Sequence, residues 1–207
     1  SGIDLELTGD YLNVAPLVEG ILSNSGGAIP IFGQLRLTSE IDVLELREGF
    51  SLSAAGLSVV FDGPRLLDFS MSGNIETGGQ VSIDMNGEAE SAKRTLVIQS
   101  DEAGGLIEGF FGVSFVEGGS LLVEGDLGEV GEPALFNVQL NNTRFQRAPL
   151  LTQILSLASL RGLSDVMSGE GILFTNVDIP VRVEDSGYVI SGARASGPAL
   201  GLTARGY

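Results

Sequence analysis

Strict two-residue alternation of apolar and polar side chains constrains this chain most. Ile3, Leu5 and Leu7 alternate with Asp4, Glu6 and Thr8, and Leu35 and Leu37 with Gln34, Arg36 and Thr38. Val81, Ile83 and Met85 alternate with Ser82, Asp84 and Asn86. Phe136, Val138 and Leu140 follow the same rule, as do Ile179, Val181 and Val183. Successive side chains of a strand point to opposite sides, so each run has one dry and one wet face. That is the signature of antiparallel sheet. Turn signals separate the runs at Asp62-Gly63-Pro64, Ser72-Gly73-Asn74, Thr77-Gly78-Gly79, Glu117-Gly118-Gly119, Gly131-Glu132-Pro133, Asp185-Ser186-Gly187 and Ser196-Gly197-Pro198. Together they predict about a dozen strands.

Three segments break the period and read as helices: 15–22, 101–112 and 148–167. Pro16 and Pro149 suit a first helical turn, where no backbone N–H is needed, and Asp101 suits an N-cap. The third segment is the longest. Leu150, Leu151, Ile154, Leu155, Leu157, Ala158 and Leu160 form an apolar stripe, with Thr152, Ser156 and Ser159 on the other side. Gly162 kinks or ends its first part, and Gly169 and Gly171 close it. Ala15-Pro16-Leu17 with Ile21-Leu22 echoes Ala148-Pro149-Leu150 with Ile154-Leu155, and Leu17–Leu22 aligns with Leu106–Phe111. The chain therefore divides into three imperfect strand-then-helix units, at about 1–95, 96–133 and 134–207. The expected fold is mainly β: a curved, mostly antiparallel sheet, either an open groove or a taco-like half-sandwich. Two or three short helices are expected on its apolar face.

The residue inventory removes whole classes of chemistry. With 0 His and 0 Cys there is no thiol nucleophile, no histidine triad, no disulfide and no zinc site with nitrogen or sulfur ligands. A net charge of −16, with Lys93 the one lysine, repels phosphate backbones and leaves no basic patch for an anionic membrane. The carboxylate pairs Asp4/Glu6, Glu40/Asp42, Glu88/Glu90, Asp101/Glu102, Glu124/Asp126 and Glu184/Asp185 mostly fall on the wet strand face rather than across a cleft. No loop has the oxygen-rich spacing of a calcium site, and Gly104-Gly105 and Gly118-Gly119 lack the lysine of a phosphate loop. No enzyme, cofactor or metal is expected, and nucleic acid is excluded as a partner. The absence of cysteine fits an oxidising compartment. A mean hydropathy of +0.28 is high for a soluble domain, so much apolar surface is either buried or exposed for a purpose. No stretch reaches the ~18 apolar residues of a membrane span. Ser1-Gly2 reads as a cloning remnant and Tyr207 as an abrupt stop, so the chain is expected to be a single-domain fragment of a longer protein.

Two stretches carry a family likeness. Leu155–Phe174 (LSLASLRGLSDVMSGEGILF) and Ala193–Gly206 (ARASGPALGLTARG) resemble the AsmA-like C-terminal region of bacterial envelope proteins, a group related to AsmA, TamB and YhdP. Leu96–Leu127 and the opening LELTGDYLNVAPLVEGIL are similar to it too, while 33–94 departs furthest from the pattern. The resemblance implies a bridge-like lipid carrier in the periplasm of a Gram-negative bacterium. It implies an inner-membrane anchor carried by the parent protein, and phospholipid movement toward the outer membrane. It supplies no catalytic residues.

On that reading the acyl-contacting residues are Leu35, Leu37, Val81, Ile83, Leu121, Val123, Phe136, Val138, Leu140, Leu150, Ile154, Leu157, Ile179, Val181 and Val183. The partner is a phospholipid or another acyl-chain lipid, with other envelope proteins as further candidates. The competing expectation is a non-catalytic structural or protein-interaction β-domain whose dry face is simply a filled core.

Overall fold

The computed structural model describes residues 2–15, 33–63, 65–87, 94–128, 132–146, 171–184 and 187–207. The expectation of a mainly β protein holds: 75% of the described residues are strand, in one open, curved, mixed sheet of 12 strands. The strands are β1 (Gly2–Asn13), β2 (Gln34–Arg47), β3 (Phe50–Asp62), β4 (Arg65–Ile75), β5 (Gln80–Gly87), β6 (Arg94–Ser100), β7 (Val116–Glu117), β8 (Ser120–Asp126), β9 (Ala134–Phe145), β10 (Ile172–Glu184), β11 (Gly187–Ser196) and β12 (Gly201–Gly206). They lie in sequence order across the sheet, except that β7 stands off the path and pairs only with β9. Every pairing is antiparallel except β1 with β2, which is parallel. Sequential order with short turns is what alternating runs punctuated by glycine produce.

One expected turn is not a turn. Ser72-Gly73-Asn74 lies inside β4. Gly73 is there because a Cβ would stand 2.9 Å from the Cβ of Leu52, so the glycine makes room for a neighbouring side chain.

The alternation also changes phase. In β2 the buried apolar positions are odd up to Ile41 and even from Leu44. In β3 the buried positions change parity between Leu52 and Ala55, in β9 between Leu140 and the buried Thr143, and in β10 between Phe174 and Val177. Ala54 (φ 48°) and Asn142 (φ 52°) stand at two of these changes, in the left-handed region that residues other than glycine seldom adopt. An extra residue in a strand shifts the faces by one and sharpens the local bend. Here the shift keeps apolar side chains on the same side past the bend.

The one helix among the described residues is α1 (Ala103–Phe111). It matches the expected segment 101–112, but its N-cap is Glu102 rather than Asp101. The Glu102 carboxylate accepts from the Gly105 N–H and from the Thr77 hydroxyl, at 3.0 Å for the latter. Asp101 is engaged elsewhere, its Oδ1 accepting from the Gln80 N–H at 2.6 Å. Gly112 ends the helix in the left-handed conformation, and its N–H donates to the Glu108 carbonyl. The expected helices at 15–22 (beyond Ala15) and 148–167 lie outside the described residues. No helix among the described residues is long and apolar enough to cross a membrane.

The densest packing is at the end of the sheet beyond these phase changes. Leu44, Leu46, Leu52, Thr143, Ile172 and Phe174 are its most buried side chains. Ala103 and Leu106 of α1 join the same cluster. Phe110 meets the Phe50 ring edge-on at 5.1 Å, and Phe145 meets Phe174 in the same way at 5.3 Å. This end is therefore plugged.

Candidate functional site

Strand register assembles the alternating residues into rows that cross the sheet. One row reads Leu5, Leu37, Val59, Phe69, Met85, Leu96, Gly125, Phe136, Val181, Ile190 and Gly206, one residue from each strand of the main path. At the usual strand spacing of about 4.8 Å, it runs about 48 Å measured along the sheet. Next to it lie Leu7, Ser39, Leu57, Met71, Ile83, Ile98, Val123, Val138 and Ile179. A third row, nearer the plugged end, holds Val81, Ser100, Leu121, Leu140, Val177, Ala195 and Leu202. Gly125 fits this layer because a Cβ would stand 2.2 Å from the Phe136 ring, which covers it instead.

All the described residues expected to contact acyl chains fall on this one face. Leu37, Phe136 and Val181 share the first row; Ile83, Val123, Val138 and Ile179 share the second; Val81, Leu121 and Leu140 share the third. Leu35, beside Phe61, and Val183, beside Tyr188, extend the face toward the opposite end. Leu150, Ile154 and Leu157 lie outside the described residues. Leu57, Met71, Ile98, Phe69 and Leu96, the central members of the rows, are not among the residues expected from the sequence. The phase change at Ala54 hides the alternation of β3, and the glycine in β4 reads as a turn.

Burial falls off along the strands. Third-row residues such as Val81 and Leu140 are buried, most of the first two rows are half-buried, and on β1 Ile3, Leu5 and Leu7 are 58%, 48% and 48% exposed. Exposed apolar surface thus lies along the β1 side, and also at the plugged end, where Phe111 and Phe115 are 75% and 41% exposed. One polar group interrupts the second row: Ser39 is buried, and its hydroxyl has no hydrogen-bond partner.

The opposite face is mostly polar, with Val60, Val97, Leu122 and Leu135 among its apolar members. A shallow trough of about 710 Å³ there is lined by Ser72, Asn74, Gln80, Ser82, Gln99, Asp101 and Asn141, among others. A second, of about 730 Å³, lies over Thr8, Asp10, Glu40, Asp42 and Ala54. The carboxylates Asp4, Glu6, Glu40, Asp42, Glu124, Asp126 and Glu184 are exposed, as expected for a wet face. Among the described residues no group of three or more acidic side chains could hold a metal ion. Near the plugged end the Tyr11 hydroxyl donates to the Glu45 carboxylate. That bond holds the phenol above its ordinary value of 10.0, because ionisation would place a second negative charge against Glu45.

These features define a class: an open antiparallel-rich sheet with one continuous apolar face, plugged at one end and exposed toward the other. Comparisons with protein-family models, with curated proteins and with solved structures return no match.

Proposed function

We propose that the apolar face binds the acyl chains of a phospholipid or similar lipid, and that the chain is a non-catalytic lipid-handling domain. The observation that carries this reading is the continuity of the rows from Leu5 to Ile190, together with the exposure of their β1 end. A sheet with one apolar face must cover it. Each methylene removed from water contributes about 0.8 kcal/mol, so ~10–16 methylenes gain on the order of 10 kcal/mol before association costs. The resemblance of Leu155–Phe174 and Ala193–Gly206 to AsmA-like proteins supports the same reading. It extends the proposal to the bacterial periplasm, to a parent protein anchored in the inner membrane, and to short helices lying against the apolar face.

The competing reading, a structural or protein-interaction β-domain, draws on the buried cluster around Leu52 and Phe174, which is filled core. Native mass spectrometry of gently purified protein separates the two. The lipid reading expects phospholipid adducts that organic extraction removes and added phospholipid restores. A protein that stays adduct-free under mild conditions and with added phospholipid would overturn it.

A further inference from the structure

The sheet is unpaired among the described residues at two outer edges, β1 and β12. Strand directions fix how these edges relate. β1 and β2 run together and each later neighbour on the path reverses, so β12 runs opposite to β1. A second copy set beside the first in the same orientation therefore meets it as an antiparallel neighbour.

The rows then fix the register. Leu202 stands at the level of Gly9, Ala204 at that of Leu7, and Gly206 at that of Leu5. In each of these pairs a large side chain faces a small one, so Leu5 and Leu7, half-exposed in the single chain, find room over Gly206 and Ala204. On the polar face the same register sets Thr203 opposite Thr8 and Arg205 opposite Glu6. Arg205 and Glu6 are exposed and make no ion pair among the described residues. An unpaired edge strand of twelve residues is a template for another strand, and here shape, charge and direction select one.

We propose that the outer edge of β12 pairs antiparallel with the outer edge of β1 of a second copy, with Arg205 opposite Glu6. The contact joins different patches, so it is head-to-tail: it builds a ring where the rotation between copies closes and an open row of copies where it does not. It carries the apolar face across from one copy to the next, and it does not depend on whether that face holds lipid.

The chain has 0 cysteines, which makes disulfide trapping clean. Thr8→Cys and Thr203→Cys place single thiols at exposed positions that the register sets opposite each other. Mixed and oxidised, the two variants are expected to give a one-to-one disulfide-linked pair, and neither alone to link appreciably. Self-linked Thr8→Cys, an internal disulfide in the double variant, or no linkage would each overturn the proposal. The first would mean symmetric β1–β1 pairing and the second closure of the sheet on itself. In sedimentation experiments Arg205→Glu is expected to weaken association by about fivefold. A chain carrying Glu6→Arg as its partner should restore it. Loss without such rescue would contradict the register.

Discussion

Gly109 lies in the second turn of α1, where alanine ordinarily improves a helix by about 1 kcal/mol. The structure reverses the sign. A Cβ on Gly109 would stand 2.1 Å from the Phe50 ring, and Phe50 is only 7% exposed, so the ring has no free direction in which to retreat. Overpacking of this kind costs about 1–3 kcal/mol. Displacing Phe50 also loosens its edge-on contact with Phe110, worth about 0.5–1.5 kcal/mol. Set against the gain in propensity, Gly109→Ala should destabilise the fold by about 0.5–3.5 kcal/mol. At an m-value of about 2 kcal/mol per molar, a mid-range loss of ~2 kcal/mol lowers the urea midpoint by about 1 M. Far-ultraviolet circular dichroism is the natural signal for a β protein without tryptophan. In a Phe50→Leu background the clash is relieved, and the added methyl should become neutral or stabilising. A higher midpoint for Gly109→Ala in the native background would refute the claim that α1 plugs this end of the sheet through Phe50.

Further outcomes follow from the same geometry. Val138→Asp, in a half-buried row position, should leave the fold intact and abolish acyl-chain binding. Leu52→Ala, at a fully buried one, should cost about 2–5 kcal/mol, as read by the urea midpoint. Ala54→Gly removes a left-handed alanine costing about 1–2 kcal/mol and adds about 0.5–1 kcal/mol of chain entropy, so it should be neutral to slightly stabilising in thermal melts. Ala55→Gly next to it should destabilise by about 0.5–1 kcal/mol. The Tyr11 phenol is raised in the folded chain, so its contribution is fully present below the unfolded value near 10 and is lost as pH rises through the folded one. Tyr11→Phe should therefore flatten the alkaline end of the stability profile.

Much of this architecture is legible in the sequence because alternation is a local signal with a long-range consequence. Val81/Ile83 and Phe136/Val138/Leu140 announce both a strand and the face it buries. Register then brings them into common rows with no further information needed. Ala103–Phe111 was legible for the opposite reason, as a break in the period closed by Gly112. What was hidden depends on neighbours. Nothing local to Gly73 says that Leu52 crosses over it, so Ser72-Gly73-Asn74 reads as a turn. The phase change at Ala54 is shared with β2 and pairs with a register shift against β4, and a single strand read alone shows only broken alternation. The cap moved from Asp101 to Glu102 because the Gln80 N–H, on a different strand, takes the nearer carboxylate. The parallel β1–β2 pair likewise has no signature within either strand.

The most direct test of the central claim is to let the protein choose where an acyl chain lies. A phospholipid with a photoactivatable acyl chain, bound to the purified protein and cross-linked by light, marks the residues it touches for peptide mass spectrometry. Labelling is expected with a period of two on one face: Ile83 but not Ser82 or Asp84, and Val138 but not Asn137 or Gln139, with matching marks at Ile98, Val123 and Ile179. Labelling that ignores the alternation, or that falls on the polar trough around Ser82 and Gln99, would contradict it.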